Sequence, residues 1–144
     1  MTHLAIVLAI LAEVVAPAPG ANRGSAAVAA RRAAIELAGA WASDGFKLRD
    51  SHWTGTLQPD KPHVVQVNLF AGNRYWFTAA AATGPGQVSV SVYDEAGTPL
   101  PSETYQDGLR AAAGFAPAAS GPYLVKIEQP GGQLSTFCLV YSYK

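Results

Sequence analysis

Asp50, Ser51 and His52 are consecutive and supply the acid, nucleophile and base types used in acyl transfer. Their spacing argues against that chemistry. In an extended segment successive side chains point to opposite faces, so Ser51 is turned away from both Asp50 and His52. A triad needs its histidine between nucleophile and acid in space, which three adjacent strand residues do not provide. Asp50 and His52 do share a face, and Asp60 and His63 follow as further oxygen and nitrogen donors. Metal sites set their ligands at short fixed intervals, and no such interval occurs among these residues. They are therefore expected to form an exposed polar strand face or a helix-packing contact. No catalytic, cofactor-binding or metal-ligating residue is assigned, and the chain is expected not to be an enzyme.

A second set, Asp94, Glu95, Glu103 and Asp107, is loosely acidic. Calcium takes about six to eight oxygen ligands, and its loop motif of regularly spaced acids followed by glycine is missing. Turn aspartates ordinarily bond their own backbone. Calcium is thus the minor alternative to no cofactor at all. Cys138 is the single cysteine, so no disulfide can form within the chain, and it is expected to behave as a small buried hydrophobe.

The more informative residues are aromatic. Within residues 75–77, Tyr75 and Phe77 share one face and Trp76 takes the other; within residues 88–93, Val88, Val90 and Val92 share one face and Tyr93 takes the other. If the first set of each faces a core, Trp76 and Tyr93 face outward. Large outward aromatics mark a binding platform or the dock for another element. Trp41 and Trp53 complete the candidate binding or helix-docking face: Trp76, Tyr93, Trp41 and Trp53.

The elements that must position these residues follow from periodicity. Residues 26–42 are rich in alanine and free of proline, with Val28, Ile35, Ala38, Trp41 and Ala42 near helical spacing and Arg31, Arg32 and Glu36 mostly elsewhere on the wheel. Ser25 is the expected N-cap and Asp44-Gly45 the expected end. A helix this short gains stability mainly by packing, so its Ile35–Trp41 stripe is expected to dock. Past Gly45 the period becomes two. Alternating runs at 65–69, 75–79, 88–93, 123–128 and 137–143 are split by glycine- and proline-rich turns, with a further short strand expected near 109–115. Short alternating strands at such spacing indicate an all-β, antiparallel, jelly-roll-like sandwich with one N-terminal α-helix. With 144 residues there is room for one domain.

Residues 4–11 form an apolar run, extended by Val14 and Val15 and followed by small residues and prolines. This is the pattern of a secretory signal peptide over residues 1–21, with cleavage near Ala18 or Ala21, although the n-region carries only His3 and Glu13 interrupts the run. The run is shorter than the ~20 apolar residues of a membrane span. A periplasmic or extracellular location is therefore expected, with no stable membrane insertion after cleavage. Ten basic residues balance ten acidic ones, so nothing in the charge balance points to nucleic acid, and none is expected as a partner.

Gly55-Thr56-Leu57, Val65-Gln66-Val67-Asn68-Leu69 and Ala71-Gly72-Asn73-Arg74-Tyr75-Trp76-Phe77 together resemble the opening of the bacterial pre-peptidase C-terminal domain family. The strand and turn from Val88 to Thr98, the segment Phe115-Ala116-Pro117 through Gly121-Pro122-Tyr123 to Ile127, and the strand from Phe137 to Tyr143 resemble that family's later motifs in the same order. The resemblance covers residues 54–144 and leaves the helix and connecting strand of residues 22–53 outside it. It implies a jelly-roll-like sandwich serving as an accessory module of exported proteins, aiding secretion or binding polymers. Some relatives bind calcium near their N-terminal strands, but those positions do not map onto this chain. The expected function is an exported, non-enzymatic binding or accessory domain for a protein, polysaccharide or other polymer. The alternative is a structural subunit of an envelope or extracellular assembly.

Overall fold

The computed structural model describes residues 19–82, 84, 86–131 and 133–144. Most of the expected signal peptide lies outside the described residues; residues 19–21 form the start of a helix. That helix, α1, runs Pro19–Ala42. It therefore begins earlier than its apolar spacing suggests, and Ser25 lies inside it instead of capping it. Proline suits the first helical position, where its fixed φ is already helical and its missing N–H is not needed. The C-terminal end is as expected. Gly45 takes φ 91°, and the N–H groups of Asp44, Gly45 and Phe46 donate to the carbonyls of Trp41, Ala42 and Trp41 at 3.0, 3.1 and 3.2 Å.

Eight strands follow: β1 Lys47–Leu57, β2 His63–Leu69, β3 Tyr75–Ala81, β4 Ser89–Asp94, β5 Glu103–Asp107, β6 Arg110–Phe115, β7 Gly121–Glu128 and β8 Ser135–Tyr143. They form two antiparallel sheets, ordered β1-β8-β3-β6-β5 and β2-β7-β4. Facing orders β1-β8-β3-β6 and β2-β7-β4 follow the double Greek-key path of a jelly roll. β5 departs from it by pairing with β6 in a tight hairpin, Asp107 opposite Arg110, whose first turn residue Gly108 takes φ 59°. The strand β1 runs through position 53/54, so the segment expected to connect helix and sandwich belongs to the five-stranded sheet as its edge.

The core lies between the sheets. Leu57, Leu69, Phe77, Ile127, Phe137 and Leu139 are fully buried there, with Val65, Val67, Val88, Val90, Val92 and Val125 around them. Period-two patterning places all of these except Leu57, which lies outside the alternating runs, on inward faces, which is what two stacked sheets require. The Tyr75 hydroxyl ties down the β2–β3 turn, accepting from the Phe70 N–H at 2.9 Å and the Asn73 Nδ2 at 3.2 Å.

α1 packs across the outside of the five-stranded sheet; of the expected stripe, Ala38 and Trp41 make the contact, while Val28 and Ile35 do not. Ala30, Ala34 and Ala38, spaced by four, are buried against Ala80, Cys138 and Val140. Val28 is 59% exposed and Ile35 38%. The larger side chains mislead because the sheet surface beneath the helix is itself built from small residues. Close approach of backbone to backbone favours methyl groups over branched side chains at the contact.

Candidate functional site

Each sheet carries one of the expected outward aromatics, Trp76 on the five-stranded sheet and Tyr93 on the three-stranded one. Trp76 sits on β3, opposite Gly114 of β6 and Ser142 of β8. Its indole lies against the glycine backbone: a Cβ at position 114 would come within 2.9 Å of the ring. Trp41, from the last turn of α1, stacks on the other side at 3.9 Å with planes 4° apart. The Trp41 Nε1–H donates to Thr78 Oγ1 at 3.0 Å, and Tyr105 meets the same indole edge-on at 6.3 Å. Glycine, Trp76 and Trp41 therefore form three layers, and the helix covers the aromatic. Beside the stack a cleft of about 410 Å³ is bordered by Phe46, Arg74, Trp76, Glu103 and Phe115.

Tyr93 sits on β4 of the other sheet, so Trp76 and Tyr93 occupy opposite outer surfaces of the sandwich. Across the three strands Tyr93 lies in line with Leu124 and Gln66, and Ser91 in line with Lys126 and Val64. The Lys126 ammonium is 4.9 Å from the Tyr93 ring centre and 3.4 Å from Glu128. Hydrogen bonding from Lys126, and secondarily from Ser91, holds the Tyr93 phenol below its ordinary range, and the same contact raises Lys126. No helix or strand among the described residues lies over this surface. At its end Asp94, Glu95, Ser120, Pro122 and Tyr123 border an open hollow of about 470 Å³.

Trp53 belongs to neither surface. It stands opposite Leu139 on β1 with its ring 5.6 Å from Tyr141, turned toward the core. The four candidate aromatics thus divide into a stacked pair, Trp41 and Trp76, an open Tyr93, and a core-facing Trp53.

Asp50, Ser51 and His52 are all exposed and lie within a register shift of β1 between Leu48 and His52. The bulge turns Arg49 over the rings of Tyr141 and Tyr143, at 5.7 and 5.6 Å. His63 stands apart, edge-on to Phe137 at 4.7 Å in the gap that Gly55 leaves. Asp94 accepts from the Thr98 N–H at 2.8 Å, the local turn bond expected of such a residue. Glu103 and Asp107 are on β5, in the other sheet. Among the described residues, no three His, Cys, Asp or Glu gather where a metal ion would bind. Cys138 is fully buried under α1; burial pushes its thiol up, against smaller opposing effects of Thr54 and Arg31.

Two features of these surfaces were not read from the sequence. Gly114 interrupts the apolar run of residues 111–115, and a glycine there marks close approach of another group. Lys126 falls beside Tyr93 only through the β4–β7 pairing, which no local pattern reveals. The chain matches no protein-family model and no curated protein sequence.

Proposed function

We propose that this chain is an exported, non-enzymatic binding or accessory domain that engages a polymer, foremost a polysaccharide, through the outer face of the three-stranded sheet. One observation carries the reading: α1 covers the aromatic of one sheet and leaves that of the other open. A sheet surface with a phenol ring on its edge strand β4, and Ser91, Lys126 and Gln66 on the same face, offers a stacking surface beside hydrogen-bond donors and acceptors. That combination suits the alternating apolar and hydroxyl faces of a sugar chain. The ordered resemblance to pre-peptidase C-terminal domains supports the same reading, and the apolar run at residues 4–11 supports export.

The test is retention of the purified chain on a panel of insoluble polysaccharides and peptidoglycan. Retention by at least one polymer is expected, falling roughly tenfold in Tyr93→Ala, the scale of losing one well-packed aromatic contact. No retention on any polymer, or equal retention of the two chains, counts against the reading. Export is tested separately by fusing residues 1–21 to a reporter that is active only outside the bacterial cytoplasm.

A further inference from the structure

Open sheets end in strands whose outward N–H and C=O groups have no ladder partner, and native proteins blunt such edges. Three of the four edges here are blunted, each in a different way. β1 is broken by its bulge and carries Lys47 and Arg49. β5 is five residues long, with Glu103 and Asp107 at its ends. β4 is flanked by residues 98–100: Leu100 N–H donates to Val92 O at 2.9 Å and Asp94 N–H to Thr98 O at 3.0 Å.

β2 is different. It runs seven residues in unbroken register with β7 and contains no Asp, Glu, Lys, Arg, Pro or Gly. Among the described residues β7 is its only strand partner. Its sequence, His63-Val64-Val65-Gln66-Val67-Asn68-Leu69, is centred on Gln66, with Val65 and Val67 placed symmetrically about it. Val64, near one end, is 51% exposed, and Phe70, just past the other, 61%.

The geometry points to a two-fold dimer in which β2 of one copy pairs antiparallel with β2 of a second copy, centred on Gln66. In that register Gln66 faces Gln66 of the partner copy, Val65 faces Val67, Val64 faces Asn68 and His63 faces Leu69. No like charges meet, and every position finds an acceptable neighbour. A strand that is self-complementary about its own midpoint suits an isologous contact, in which one patch serves both subunits. An unrelated peptide gains nothing from that symmetry. The two three-stranded sheets then join into one of six strands, with Val64 and Phe70 drawn toward the junction. The contact stands independently of what the Tyr93 surface binds.

The experiment is sedimentation velocity of the purified chain over a wide concentration range. Because Gln66 is exposed, Gln66→Lys leaves the fold intact, as circular dichroism will verify, and sets two lysines face to face at the two-fold axis. The parent chain is expected to shift from monomer to dimer with concentration, and Gln66→Lys to weaken the dimer roughly fivefold or more. An equimolar mixture of Gln66→Lys and Gln66→Glu is expected to recover dimer, because lysine then faces glutamate. A parent chain that stays monomeric at every attainable concentration overturns the proposal. So does a Gln66→Lys dimer as tight as the parent's, or a charge-swapped mixture that shows no recovery.

Discussion

The two outer surfaces of the sandwich start from the same sequence pattern, an aromatic on the outward side of an alternating strand, and end in opposite states. Around Trp76 most outward residues are small: Thr78 and Ala80 on β3, Ala112 and Gly114 on β6, and Cys138 on β8, with Val140 and Tyr105 the larger exceptions. Around Tyr93 they are long or polar: Gln66 on β2, Leu124, Lys126 and Glu128 on β7. A helix needs a low floor to bring its backbone close, and the first surface provides one while the second does not. The aromatic alone therefore does not decide whether a face is covered. The size of its neighbours does, and the alanine ladder Ala30, Ala34 and Ala38 is the matching half on α1.

The sharpest way to break this contrast is to remove the covered aromatic. Trp76→Ala is expected to destabilise the fold by about 3 kcal/mol, because the cavity lies between Trp41 and the Gly114 backbone. Urea unfolding would show this as a lower midpoint at unchanged slope. Cys138 offers a second readout, since α1 lies over it. Alkylation of its thiol in native buffer should accelerate markedly in Trp76→Ala if the helix opens more often. A midpoint within error of the parent's would mean that the stack contributes nothing and that the helix is held elsewhere.

Gly114→Ala tests the floor itself, with a smaller expected loss of about 2 kcal/mol. The added methyl would sit 2.9 Å from an indole held from above by Trp41, so the ring cannot simply swing aside. Tolerance of alanine there would show that the stack is loose and that small size is not what admits the helix.

Much of the fold was legible because burial on one side of a sheet imposes alternation. Val65, Val67 and Leu69, or Val88, Val90 and Val92, announce their strands and their inward faces together. β5 was not legible, since Glu103–Asp107 is exposed on both sides and nothing about its residues alternates. The helix was legible, and its docking stripe was legible only at Ala38 and Trp41. Val28 and Ile35 are left exposed, and Trp41 shares the contact with alanines, whose value depends on the shape of a sheet formed by distant strands. The candidate site shows the same division. Outward placement of Trp76 and Tyr93 follows from local period. Their separation onto different sheets, the Trp41 stack and the Lys126 contact all depend on topology.

A weaker link between helix and sheet is the Glu36–Arg110 pair, 3.2 Å apart with both side chains well exposed. Glu36→Gln is expected to change stability by no more than about 0.5 kcal/mol, because solvent screens such pairs. Mutating Arg110 alone and together with Glu36 would complete a double-mutant cycle. A coupling energy well above that range would shift the anchor of the helix from the indole stack to this ion pair.

The smallest effect on stability is expected at the open surface. Tyr93→Ala removes a ring with no element packed over it, so its unfolding midpoint should stay within about 0.5 kcal/mol of the parent's, against the large loss at Trp76. The Lys126 contact gives this surface a signature of its own. Since Lys126 holds the Tyr93 phenol below its ordinary range, Lys126→Met should move the phenol titration upward, seen as a difference in ultraviolet phenolate absorbance against the matching Tyr93→Phe chains. The sign for folding follows from the same shift. A phenol whose folded pKa is lowered lends stability only as pH rises toward and past the unfolded value of about 10, and lends none at neutral pH. Ionisation of Tyr93 therefore adds no stability under ordinary conditions. If Tyr93→Ala proved as destabilising as Trp76→Ala, the open surface would be a structural one, and the contrast on which the binding reading rests would be gone.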